Sequence, residues 1–241
     1  MRTQVIGKAI ALLALPVALF ITACDPTAIT GNGDVLTETR NEKDFKGVEA
    51  SVPGEIHITR GQTFNVSVKA EENLLPYLET EVKNGSLHVY FSRSVRDVDH
   101  LEVEITMPEL KNIQLSGSAE LHTHGNFTGG TLNLGVSGSG EMNLDDFGYE
   151  YVAANVSGSG KIQIEGAGAE ELDANLSGSG MIDAVQFPVK RAEVHVSGSG
   201  NIKLTASEKL IAHVSGSGHV RYEGDPAVEK HISGSGSVTR L

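Results

Sequence analysis

Several groups of residues in this chain are of types, and at spacings, that could carry chemistry. Three histidines, His195, His213 and His231, recur every 18 residues, each two positions before a Ser-Gly-Ser-Gly word. Imidazoles in a row are candidate ligands for a divalent metal ion. The words themselves, rich in serine hydroxyls and free backbone, could cradle a phosphate or a sugar. Acidic pairs at Asp145-Asp146 and Glu170-Glu171, with Asp183, are the residue types an acid/base glycan-cleaving enzyme would use. Cys24, the only cysteine, stands directly after Ile21-Thr22-Ala23 and is a candidate for covalent modification.

What these residues can do depends on the elements that hold them. The word SGSG occurs seven times (SGSA at the first), starting at Ser116, Ser137, Ser157, Ser177, Ser197, Ser215 and Ser233, 18 to 21 residues apart. So short a period marks a solenoid in which one repeat is one turn. Immediately before each word stand Leu115, Val136, Val156, Leu176, Val196, Val214 and Ile232. Five positions after its start stand Leu121, Met142, Ile162, Ile182, Ile202, Val220 and Val238. Polar or small residues alternate with these, a period of two that predicts short strands. The glycines of the word, Gly117, Gly138, Gly158, Gly178, Gly198, Gly216 and Gly234, with their serines, read as the corners between strands.

The expected fold is therefore all-β, a single-stranded parallel β-helix. The right hand is favoured, because parallel crossovers are right-handed. Seven stacked copies at about 4.8 Å per turn make a rod roughly 29 Å long. Absence of tryptophan and 5% aromatic content suit a narrow interior of stacked aliphatics. Residues 35–111 are β-rich without the clean repeat, and read as irregular opening turns that cap the stack. Asn84-Gly85 is placed as a tight hairpin turn, and 73–78 as one helical turn.

Set on this frame, most candidate chemistry thins out. No phosphate-binding GxxxxGK[ST] is present, and the GSG triplets lack the third glycine of a dinucleotide fingerprint. The words are structural corners. The acids do not fall in adjacent copies, so no enzyme and no cofactor is expected. The column two positions before each word, Gln114, Gly135, Asn155, Asn175, His195, His213 and His231, reads as an exposed polar ladder, and no metal site is assigned to its histidines.

The start of the chain reads as a leader. Arg2 and Lys8 precede an apolar run, Ala9 to Phe20, too short to span a bilayer of about 30 Å. Ile21-Thr22-Ala23-Cys24 resembles a bacterial lipobox, which implies cleavage after residue 23, lipidation of Cys24 and attachment to a membrane. Residues 24–34 read as a flexible tether and 35–241 as the folded part. Asp25 resembles a signal for retention in the inner membrane. The formal charge of −12 argues against nucleic-acid partners.

Beyond the repeats, Phe45 to Leu204 resembles the layout of a bacterial family. The matching landmarks are a strand near Asn65 to Ala70, Asn73-Leu74-Leu75-Pro76-Tyr77-Leu78, Asn84-Gly85-Ser86-Leu87, and a strand ending at Ile105-Thr106-Met107-Pro108. SGSG repeats with steps such as Gly200-Asn201-Ile202-Lys203 follow. The family is that of the putative auto-transporter adhesin head GIN domain proteins. This resemblance implies a non-enzymatic, adhesin-like head that binds an envelope protein or a glycan, and it carries no catalytic residues. The alternative is a periplasmic structural or stress-related lipoprotein, and behind it a polysaccharide lyase or hydrolase.

Overall fold

The structure, a computed structural model, describes residues 27–241. Cys24, the lipobox and the leader lie outside the described residues. In one repeat, Glu141–Gly158, the buried residues are Met142, Leu144, Phe147, Tyr149, Val152, Ala154 and Val156. The strict alternation lengthens to three between Leu144 and Phe147 and between Tyr149 and Val152. Each such step bends the strand, as at Asp146 (φ 61°), and together with the SGSG corner these bends close a three-sided turn.

Successive turns lie in parallel register. Leu115, Val136, Val156, Leu176, Val196, Val214 and Ile232 pair each with the next. Leu121, Met142, Ile162, Ile182, Ile202, Val220 and Val238 do the same on the next side. Both columns are almost wholly buried except for Ile232, 46% exposed at the open end. Each buried aliphatic contributes about 1.5–3 kcal/mol, and a turn cannot bury its residues without a neighbour. Aromatic rings fill part of the interior: Phe127 and Phe147 lie 5.7 Å apart, and Tyr149 follows at 5.8 Å. Burial pushes the Tyr149 hydroxyl's pKa up, and that hydroxyl donates to the Leu110 carbonyl at 2.7 Å.

The corners continue the ladder. The amide of Ser179 donates to the Gly158 carbonyl at 2.9 Å, and that of Ser199 to the Gly178 carbonyl at 2.9 Å. Gly178 has φ +119°, and a Cβ on it would stand 2.3 Å from the Gly158 carbonyl oxygen. Gly117, in the first word, has φ +108° but open space where its Cβ would go. The turn before it is cornered differently, by Ser51-Val52-Pro53-Gly54. Leu115 pairs with Ala50 and Glu120 with Glu55, so those four residues occupy the place of a word.

The opening segment is woven out of sequence order. Gly47–Ser51 and Glu55–Arg60 form the turn beneath the repeats, and Ser86–Phe91 and Leu101–Met107 pair parallel on its far side. Beyond them the sheet turns antiparallel: Leu78–Lys83 folds back on Ser86–Phe91 through Asn84 (φ 52°) and Gly85 (φ 78°), and Asn65–Glu71 lies between Leu101–Met107 and Val35–Arg40. A 3-10 turn spans Leu75–Tyr77. The outermost strands, Val35–Arg40 and Leu78–Lys83, are charged and largely exposed, which blunts the edge. Ile29–Thr30, inside the segment expected as a tether, pairs with Val95–Arg96, so from Ile29 that segment lies against the body.

Alanine at either corner must adopt a backbone conformation costing about 1–3 kcal/mol, and only Gly178→Ala adds a clash with the carbonyl below. Urea denaturation should rank stability as wild type, Gly117→Ala, Gly178→Ala; equal losses in the two variants would show that stacking contact does not set the glycine requirement.

Candidate functional site

The residue two positions before each word points outward because its neighbours on either side point in. Register joins these residues into one column: His88, Glu49, Gln114, Gly135, Asn155, Asn175, His195, His213 and His231. The first serine of each word, Ser116 to Ser233, forms a second outward column two residues on. Between the two runs an open groove of about 910 Å³, from Gln114 to Ser233. A further hollow of about 330 Å³, lined by Glu49, His88 and Tyr90, shares Gln114 and Ser116 with it, so the depression continues onto the opening turns.

The groove wall changes character along its length. Near the first repeats it is made of amides. Gln114 lies over Gly135, where a Cβ would come within 1.9 Å of its Oε1, and Asn175 Nδ2 donates to Asn155 Oδ1 at 3.2 Å and to Asp173 Oδ1 at 2.8 Å. Towards the last repeats the wall is imidazole. The rings of His195 and His213 stack at 4.6 Å and 4°, and those of His213 and His231 at 4.6 Å and 9°. Glu193 Oε1 lies 3.2 Å from His195 Nε2, and Glu229 Oε1 lies 2.9 Å from His231 Nε2.

A second histidine cluster sits on a different face. His122 and His124 share one strand, and His57 from the opening turn stacks on both, at 5.5 and 5.7 Å. His124 Nε2 is 3.5 Å from His57 Nδ1. His57, His88 and Glu49 escape a reading of the repeats because they lie outside them. For His57 alone a signal was present: Glu-X-His occurs at 55–57, 120–122, 193–195 and 229–231, and in each the glutamate meets the histidine two residues on.

Four of the acids considered for catalysis are engaged one turn away. Glu170 pairs with Lys190 at 2.8 Å, Glu171 with Arg191 at 2.8 Å and Asp183 with Lys203 at 3.4 Å, and Asp146 accepts from Asn126 at 2.9 Å. For Glu170, Glu171 and Asp183 the register sets the acid beside a cation, whereas Asp146 meets an amide and Asp145 makes no side-chain ion pair among the described residues. Glu81, Glu109 and Glu229 are held below the ordinary carboxylate pKa, chiefly by hydrogen bonds from Lys83, Lys46 and His231.

A family model described as "Putative auto-transporter adhesin, head GIN domain" matches residues 44–226. The chain belongs to this family. Solved structures agree with the fold. A putative adhesin from Bacteroides fragilis NCTC 9343 superposes with a TM-score of 0.82 at 22% identity, covering 89% of this chain and 100% of that one. A putative lipid binding protein from Parabacteroides distasonis ATCC 8503 gives 0.73 at 26% identity, covering 89% and 99%. A putative adhesin from Parabacteroides merdae ATCC 43184 gives 0.70 at 22%, also covering 89% and 99%. No curated protein matches. The head GIN domain here thus carries its outward polar ladder on a scaffold shared with adhesin-like proteins. Among the described residues, no helix is long and apolar enough to cross a membrane.

The Glu229 displacement is checkable. With His231→Gln, the Glu229 carboxyl titration, followed by carbon NMR, should move up towards the ordinary value. Because the folded pKa is the lower one, the pair's contribution is present above the unfolded value and fades as pH falls through the folded one. An unmoved titration would show that His231 does not hold the carboxylate.

Proposed function

We propose that this GIN-domain protein is a non-enzymatic, lipid-anchored envelope head whose long groove holds an extended, uncharged glycan chain. The observation that carries the reading is the groove itself, from Gln114 to Ser233: a hydroxyl ladder on one side and, on the other, amides or imidazoles at every turn but one, where Gly135 lies under Gln114. Amides and hydroxyls donate and accept, and a polymer of hydroxyl-bearing units laid along the axis can satisfy them repeatedly. Many weak contacts spaced along one line give avidity without a deep pocket. The chain's net negative charge disfavours acidic polysaccharides. Membership of an adhesin-like family supports placement at the cell envelope, and Cys24 in its lipobox setting supports attachment through a lipid on that residue. Glu170, Glu171 and Asp183, held beside cations, support a binding role over glycan cleavage.

Two measurements test this. Neutral-glycan array binding by the wild type should fall at least fivefold when Asn155 and Asn175 are both changed to alanine; uniform absence of glycan binding, with a cross-linked protein partner recovered instead, would favour a structural periplasmic role. Fractionation should find the wild type in membranes and Cys24→Ser in the soluble fraction. Surface protease that cleaves the head on intact cells fits an adhesin, and full protection would overturn display at the surface.

A further inference from the structure

The geometry points to a divalent transition-metal site formed by Glu193, His195 and His213, independent of whether the groove holds a glycan. Glu193 and His195 lie two residues apart on one strand and face the same side, and His213 comes from the next turn in direct register with His195. One ligand atom from each lies within 4.8 Å of the other two. Carboxylate and neutral imidazole are the donor set preferred by Zn²⁺, with Cu²⁺ and Ni²⁺ as competitors.

The middle rung distinguishes this from a row of ordinary surface pairs. Glu193 and Glu229 flank Ile211 in their column, so His195 and His231 each have a carboxylate and His213 has none on its own rung. His213 has no protein hydrogen-bond partner among the described residues; its ring stacks on those on either side, and it acts on Glu229 only through space. A nitrogen of His213 is therefore free to complete a site begun by Glu193 and His195. The stacked rings stand 4.6 Å apart, whereas two nitrogens on one tetrahedral zinc, at bonds of about 2.0–2.1 Å, lie about 3.4 Å apart. Tilting of the imidazoles brings them together, and since the side chains of Glu193 and His195 are about half exposed, no packed core resists it. Solvent would fill the remaining coordination position. A bound ion would tie one turn to the next near the uncovered end of the stack, where Ile232 is already exposed.

The test is calorimetric titration of Zn²⁺ into the full chain carrying Cys24→Ser, purified from the soluble fraction without a histidine tag, so that neither lipid nor thiol is present. One ion should bind at micromolar affinity and raise the melting temperature. His195→Gln and His213→Gln should each weaken binding at least tenfold and Glu193→Gln severalfold, whereas His231→Gln and His122→Gln should stay within twofold. Circular dichroism and metal-free melting curves matching the wild type would show that the variants fold. Absence of binding up to millimolar Zn²⁺, or the same affinity in wild type and His213→Gln, overturns the site. Loss in His231→Gln equal to that in His195→Gln overturns its assignment to Glu193.

Discussion

Each turn of this protein rests on the one before it through the corner, where an amide such as that of Ser179 reaches the carbonyl of a glycine one turn down, Gly158, at 2.9 Å. That contact leaves no space for a Cβ at Gly178. Given the corner, the rest of the turn is constrained: strands run parallel, register is direct, and every position repeats above its counterpart. Columns of one residue type follow, because a side chain that suits one rung meets the same surroundings on the next. The aliphatic columns make the core, and the outward columns make the groove and the imidazole stack.

The two ends of the stack are handled differently. At the beginning, the chain leaves the turn at 47–60, forms the antiparallel strands 65–71 and 78–83, and then lays 86–91 and 101–107 parallel against that turn, with the charged strand 35–40 at the outer edge. Only after that does it return at Asn112 to start the repeats over the same turn. At the other end Ala227–Gly234 and Ser237–Arg240 are the last strands of the described chain, and the column of pre-corner aliphatics finishes at a half-exposed Ile232. A solenoid that has no neighbour on one side loses half the burial of its last rung.

Direct register also decides the electrostatics. A charge on one rung lies close enough to its successor to form an ion pair or to repel, and here Glu141 meets Lys161, Glu170 meets Lys190 and Glu171 meets Arg191. These exposed pairs add little stability individually. Two of them engage Glu170 and Glu171, which are among the acids considered for catalysis. Amides and imidazoles, by contrast, stack on their own kind, and they line one side of the groove.

Much of this was legible in the chain itself. Seven words with aliphatic partners at −1 and +5 specify parallel turns, inward columns and the outward row ending in His195, His213 and His231, because period-two alternation assigns each side chain to a face without knowledge of any contact. Asn84-Gly85 announced its hairpin, since both positions need positive φ. Other features had no local signature. Ser51-Val52-Pro53-Gly54 does the work of an SGSG word without its letters, and only pairing of Ala50 with Leu115 reveals it. Residues 86–107 lie outside 47–60 because of long-range parallel pairing that no window of sequence encodes. His57 joins His122 and His124 across more than sixty residues for the same reason. Alternation along a strand is a local property, set by the pleat; which strand lies beside which is settled by the burial of whole faces, and so belongs to the tertiary structure.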